Sequence, residues 1–136
     1  MTETVAEVVV DASVVARGLM TEGAAAAVLD EIAAGVTVGH APDLIVAEVS
    51  SALAVSVRAE RRSLDDAQTL FRSFVASPVE LHHTTPLAPA AIELAATTQL
   101  SAYDSFYAVL ARALEIPLVT ADRRLAAAVA DSVLIQ

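Results

Sequence analysis

Four carboxylates stand at positions that can do chemistry: Asp11, Glu48, Asp104 and Asp122. Asp11 closes the run Glu7-Val8-Val9-Val10-Asp11, whose three successive valines suit a strand buried on both faces. In an open α/β sheet, ligands gather at the carboxyl ends of the strands. Asp122 follows a second such run, Val119-Thr120-Ala121-Asp122, and Asp104 lies in the first turn of an apolar helix, Ala102 to about Leu114. Glu48 shares a helical stripe with Leu44, Ala52 and Val55 at spacings of three and four.

Each acid has a plainer reading. An aspartate at the start of a helix caps it and suits the helix dipole, so Asp11, Asp104 and Asp122 are all open to a structural role. Glu48 is too far into its helix to cap it, and an unpaired carboxylate among apolar neighbours is costly. Its plain alternatives are an ion pair or the exposed edge of the stripe. Ser13 and Thr120, beside two of the acids, can orient a carboxylate or a water, or simply bond local backbone. If the four acids converge, their like charges require a cation. An all-oxygen site suits Mg²⁺ or Mn²⁺. Such a site activates a water and stabilises the leaving oxygen of a phosphodiester. The chemistry expected is phosphate-ester hydrolysis without a protein nucleophile.

Strands alternating with helices must carry these groups. After the first strand, Ser13 to about Met20 reads as a short helix, with Ser13 able to cap it. Gly23 to Ala34 has Val28, Leu29 and Ile32 on a helical face, and Gly35 stops it. Val36-Thr37-Val38 is a second strand; His40-Ala41-Pro42-Asp43 opens a helix from Leu44 to Ala59. Ser63-Leu64-Asp65-Asp66 resembles a capping box and starts a helix with Ala67, Leu70, Phe71 and Phe74 on one side. Val79 to His82 is a third strand, and Pro86 and Pro89 bound a turn before a helix over 90–99. Ile116 to Thr120 is a fourth strand with Pro117 tolerated at its start, Asp122 leads into a short helix, and Val133 to Ile135 forms an edge strand. The pattern predicts one α/β/α domain over residues 1–136, with helices on both faces of a mainly parallel sheet.

Composition narrows the function. The 136 residues carry a formal net charge of -9, which argues against gripping nucleic acid by bulk electrostatics. It suits a cation in an acidic pocket, or a basic partner. All eight basic residues are arginine. Without lysine, P-loop and Schiff-base chemistries are excluded. There is no cysteine, hence no disulfide and no thiolate chemistry. No apolar run approaches the roughly 20 residues of a membrane span. The N-terminus has no basic-then-apolar leader pattern, so a cytoplasmic protein is expected.

Val9-Val10-Asp11-Ala12-Ser13, the helix carrying Glu48, Ala102-Tyr103-Asp104-Ser105-Phe106-Tyr107 and Leu118-Val119-Thr120-Ala121-Asp122-Arg123-Arg124-Leu125 together resemble the PIN-domain family. The closer resemblance is to the VapC toxins of bacterial type II toxin–antitoxin pairs, and it runs from Val8 to about Val133. It implies a three-layer α/β/α fold around five strands, with the first and fourth strands adjacent so that Asp11 and Asp122 meet. It also implies that Asp11, Glu48, Asp104 and Asp122 form an acidic quartet binding Mg²⁺ or Mn²⁺, with Asp11 and Asp104 the first ligands to name. Ser13 matches the family's small hydroxyl residue. The implied activity is endoribonucleolytic cleavage of single-stranded or looped RNA, often tRNA or rRNA. The implied partner is a VapB-like antitoxin whose basic C-terminal segment covers the pocket; homodimers are common in the family. Glu115 stands where many relatives have a glycine, a change at a turn.

Three rival readings remain. One is a PIN nuclease of RNA processing without an antitoxin, and another is a non-catalytic α/β binding module whose acids are caps. A phosphoacceptor receiver domain, the third, needs a lysine that this chain lacks. Arg58, Arg61 and Arg62 either contact RNA phosphate or form a solvated helix end. Arg123 and Arg124 stand nearer the acids and can balance their charge. His82 and His83 point to opposite faces of a strand and cannot share one metal. With His40, they read as surface residues. Tyr103 and Tyr107 read as packing residues.

Overall fold

The computed structural model describes residues 5–136. Residues 1–4, part of the N-terminal stretch read as lacking a leader, lie outside the described residues. Five strands form one wholly parallel sheet in the order β3-β2-β1-β4-β5. They are β1 (Ala6–Val10), β2 (Thr37–Pro42), β3 (Val79–His82), β4 (Leu118–Thr120) and β5 (Ser132–Leu134). The helices are α1 (Ala12–Met20), α2 (Ala24–Ala33), α3 (Ile45–Arg58), α4 (Leu64–Ala76), α5 (Ala88–Thr97), α6 (Ala102–Leu114) and α7 (Arg123–Ala128), with a 3-10 turn at Thr85–Leu87.

The chain runs outwards from β1 through β2 to β3, then returns to place β4 on the other side of β1. That reversal of direction makes the carboxyl ends of β1 and β4 the switch point at which doubly wound sheets bind ligands. Val9 and Val10, fully buried, are in register with Leu118 and Val119. The register aligns the ends of the two strands, and therefore Asp11 with the Thr120–Asp122 segment.

Helices cover both faces. Gly39 of β2 faces α2 so closely that a Cβ there would lie 2.9 Å from Ile32 Cδ1. The next residue, His40, consequently points to the opposite face, where α6 lies against β1 and β2. Helices α1 to α4 pack on one another, and α6 packs on α5 and α7. Among the described residues no single helix is long and apolar enough to cross a membrane.

Several expectations need correction. The stretch His40-Ala41-Pro42, expected to open a helix, continues β2 in register with Glu80, Leu81 and His82 of β3. Proline fits there because β1 pairs with β2 only as far as His40, so on that side Pro42 has no ladder partner to lose. Pro117 lies just before β4 rather than inside it. Pro89 sits in the first turn of α5, which begins at Ala88. First-turn N–H groups have no helical partner to lose, so proline is tolerated there.

Helix ends otherwise follow local chemistry. Ser63 caps α4 by accepting from the Asp66 N–H at 3.0 Å, and Gly35 takes the left-handed φ of 76° after α2. Glu115 ends α6 at φ 56°, ψ 44°. A residue with a Cβ is strained in that region, which accounts for glycine as the commoner choice at such a turn.

Candidate active site

Asp11, one of the two residues able to cap α1, is its N-cap, and Ser13 lies inside the helix; Asp11 Oδ1 accepts the Val14 N–H at 3.1 Å. The Ser13 hydroxyl donates to the same oxygen at 2.6 Å, and the Thr120 hydroxyl donates to Oδ2 at 2.5 Å. The network then crosses to β4. The Ala121 N–H donates to Ser13 Oγ at 3.1 Å, and the Asp122 N–H donates to Thr120 Oγ1 at 2.9 Å. Ser13 and Thr120 thus each hold Asp11 while being held by the segment that leads to Asp122. Asp11 is 5 % exposed, and three donors leave part of its acceptor capacity free on Oδ2.

Asp122 is the N-cap of α7, and its Oδ1 accepts from the Arg124 and Leu125 N–H groups at 2.8 and 3.3 Å. Asp104 does not cap α6. That task falls to Ser101, whose Oγ accepts the Asp104 N–H at 3.1 Å. Because α3 begins at Ile45, Glu48 lies in its first turn, nearer the helix start than expected. Its side chain makes no cap. Instead Glu48 Oε1 accepts from the Tyr107 hydroxyl at 2.7 Å, joining α3 to α6.

The four acids share one field. Burial raises the Asp11 carboxyl above its ordinary value, against the hydrogen bonds from Ser13, Thr120 and Val14, and the charge of Asp104 adds to the rise. Glu48 is also raised, first by burial and then by Asp104 and Asp11, while its bond from Tyr107 opposes. Asp104 is raised by burial and by Asp122; the hydrogen bond involving Ser101 and the charge of Arg124 pull it down. Tyr107, 1 % exposed, has its hydroxyl pushed up by burial, its bond to Glu48 and the nearby acids. Asp104 is the hub that feels or acts on every other acid.

Among the described residues, none of the four acids has a cationic partner within 4.0 Å. Clustered, partly desolvated carboxylates without such partners either take up protons or bind a cation. Their oxygens are not drawn into a tight cage: no three of these carboxylates come within 4.8 Å of one another. Mg²⁺ and Mn²⁺ keep several waters and use only one or two carboxylates directly, so they do not require such a cage. The donor set, all oxygen, is of the matching hardness.

The PIN domain family matches residues 8–130, a span that includes all four acids. The chain belongs to the PIN-domain family. Within the family it is of the VapC type. Over 126 residues it is 38 % identical to Ribonuclease VapC1 of two Mycobacterium tuberculosis strains, covering 90 % of this chain and 90 % of each relative. The PIN fold recurs in solved structures of lower identity. PAE2754 from Pyrobaculum aerophilum has a TM-score of 0.77 at 23 % identity, over 94 % of this chain and 88 % of that one. FitAcB from Neisseria gonorrhoeae has a TM-score of 0.66 at 15 % identity, over 94 % and 96 %. A structure of FitAB bound to a DNA fragment scores 0.55 at 17 % identity, over 94 % and 93 %.

Sequence reasoning missed two contributors. Tyr107, read with Tyr103 as a packing residue, is buried but also donates to Glu48, whereas Tyr103 is 65 % exposed. Its position three residues after Asp104, on the same helix face, was the available signal. The signal for Ser101 is local: a serine three residues before an aspartate at a helix start is a capping pattern. Arg124 acts on Asp104, as expected of one of the two arginines near the acids.

Proposed function

We propose that this VapC-type PIN protein is a Mg²⁺- or Mn²⁺-dependent endoribonuclease acting as the toxin of a toxin–antitoxin pair. In this reading, Asp11, Glu48, Asp104 and Asp122 hold the metal. The observation that carries it is the electrostatic coupling of the four acids beside the β1/β4 switch point, with no cationic side chain within 4.0 Å of them among the described residues. The 38 % identity to a protein named as a ribonuclease supports the substrate class.

A divalent cation in such a site lowers the pKa of a water and stabilises charge on a phosphodiester oxygen. The chain's own residues prepare that site. Ser13 and Thr120 fix the Asp11 carboxylate, and Tyr107 aims Glu48 by holding one of its oxygens. Burial and the charge of Asp122 raise the Asp104 carboxyl, so a cation beside it would favour its charged form. Arg123 and Arg124, exposed at the start of α7, are placed to meet RNA phosphates beside the acids. The net charge of -9 leaves few other attractive surfaces for a polyanion. A structured cytoplasmic RNA such as tRNA or rRNA, cut at an exposed loop, is the proposed substrate.

The inhibitor proposed is a VapB-like antitoxin that offers a basic C-terminal segment to the acids, in a complex that weakens as salt rises. A homodimer of this chain is part of the same reading. One observation favours a non-catalytic binding module instead, since Asp11 and Asp122 do cap helices. Asp104 speaks against it, because Ser101 already caps its helix. A PIN nuclease without an antitoxin differs only in its partner, and an adjacent small open reading frame encoding a basic-tailed protein separates the two.

The test is incubation of total RNA with purified protein in Mg²⁺, Mn²⁺ or EDTA, beside the Asp11→Ala variant. Cleavage by the wild type with metal alone is expected. Equal cleavage by the variant, or in EDTA, would sink the reading.

A further inference from the structure

A second cluster of ligating side chains lies on the other side of β1 from β4. His40, read from the sequence as a surface residue, is 6 % exposed in the middle of β2. Its Nε2 lies 2.9 Å from Glu7 Oε1 on β1. Its Nδ1 lies 2.9 Å from His82 Nε2 and 3.6 Å from Glu80 Oε2, both on β3. All three ligand atoms of His40, Glu80 and His82 lie within 4.8 Å of one another, which no other described trio of histidines and acids achieves.

The donor set can take a cation at this point. The Glu7 carboxylate can only accept, so it selects a hydrogen on His40 Nε2, and in the neutral ring Nδ1 then presents a lone pair. That lone pair faces both the Glu80 carboxylate and the His82 ring nitrogen. Without a cation, His82 Nε2–H satisfies Nδ1, and the Glu80 carboxylate, 64 % exposed, is left to water. A cation satisfies all three when the His82 proton moves to its other ring nitrogen, and the charge count of the protein is unchanged. A carboxylate on the far nitrogen of a ligating histidine is the usual outer partner of such sites. Bond lengths agree as well. A metal–nitrogen distance of about 2.0–2.1 Å in tetrahedral geometry spaces ligand atoms about 3.3 Å apart. The observed 2.9 and 3.6 Å bracket that value.

We propose that His40, Glu80 and His82 form a site for a zinc-class transition ion, with Glu7 as the outer partner of His40 and water as the fourth ligand. Two imidazoles and one carboxylate prefer such an ion over Mg²⁺. The ligands come from adjacent strands, so the ion ties the four-residue edge strand β3 to β2. Glu80-x-His82 places both of its donors on one face of β3, opposite Leu81. This site does not depend on the acidic cluster or on the proposed nuclease activity.

The test uses the full-length, metal-stripped chain titrated with Zn²⁺ by calorimetry, with thermal melting and with Co²⁺ as an optical reporter. Wild type and Asp104→Asn are both expected to bind one Zn²⁺ tightly, melt at higher temperature with it, and give the intense visible bands of tetrahedral Co²⁺. In His82→Gln, affinity falls at least roughly 100-fold and the bands disappear, while the circular dichroism of the metal-free protein is unchanged. In Glu7→Gln, affinity falls by about 10–100-fold. Zn²⁺ binding equal in wild type and His82→Gln overturns the proposal. So does binding that vanishes in Asp104→Asn, which assigns the ion to the acids, or a wild type that prefers Zn²⁺ no more than Mg²⁺.

Discussion

Asp11 and Asp122 close β1 and lead out of β4, and each also caps the helix that follows, whereas Glu48 and Asp104 ride on helices begun by other residues. On the strand side of the site the carboxylates are tied to hydroxyls and backbone N–H groups in a network spanning β1 and β4. On the helix side, Glu48 has one side-chain partner, Tyr107, and Asp104 has Ser101, which caps the same helix start and lowers the Asp104 carboxyl. The strand side thus mixes chemistry with architecture. The helix side keeps them apart, so mutation there reads function with little structural noise.

The contrast is sharpest for Asp11→Ala. It removes a helix cap, worth about 1 kcal/mol, and leaves the Ser13 and Thr120 hydroxyls without an acceptor, at about 1–3 kcal/mol. Metal-dependent cleavage is expected to be lost and the midpoint of chemical denaturation to fall together. A variant that loses activity at wild-type stability breaks the mixed role assigned to Asp11.

Tyr107→Phe tests positioning on the helix side. Glu48 keeps its charge but loses its guide, so activity should drop about 10-fold, the scale of an outer-shell partner. Stability should change by only about 1 kcal/mol, as for one hydrogen bond. Metal titration of the cleavage rate checks this, since a misdirected Glu48 demands more Mg²⁺ for half-maximal rate.

Acidity joins the two sides. Asp11, Glu48 and Asp104 titrate above their ordinary values of 3.8, 4.5 and 3.8. Between those values and the raised ones, the folded chain holds protons that the unfolded chain has released. Their contribution is therefore present in full below the ordinary values and lost as pH climbs through the raised ones. Without metal, these groups make the protein less stable at neutral than at mildly acid pH, and Mg²⁺ restores stability at neutral pH. Denaturant unfolding at several pH values, with and without Mg²⁺, measures the slope. A stability that rises through the window contradicts the burial of these acids.

The smallest effect is reserved for a position outside both sides. Glu115→Gly relieves the left-handed φ of 56° at the end of α6. A gain of a few tenths to about 1 kcal/mol is expected, with cleavage unchanged.

Much of this arrangement was legible in the sequence because the signals were local. Three valines before Asp11, the apolar run Ala102–Leu114, and the capping pattern at Ser63 each fix an element without help from distant residues. Where tertiary pairing decided, the sequence misled. His40-Ala41-Pro42 resembles a loop before a helix, yet β1 and β3 flank it on both sides and draw it into the sheet. His40 carries no local sign that Glu7, Glu80 and His82 will surround it. Capping was ambiguous for a related reason, since Asp11 and Ser13 are both good caps and only the approach of Thr120 and Ala121 settles their roles.

Asp104→Asn tests the central claim most directly, because it removes a charge from the hub of the cluster while leaving the Ser101 cap in place. Cleavage of RNA and denaturant stability should be measured on the same preparation across a Mg²⁺ series. The expected result is a loss of at least about 100-fold in cleavage rate, beyond that of an outer-shell change. Stability without metal should stay within about 0.5 kcal/mol of wild type or rise above it, as a surface-like site relieved of repulsion would. Wild-type cleavage by Asp104→Asn, or a stability loss as large as that of Asp11→Ala, would contradict a metal-holding cluster whose helix side exists for chemistry.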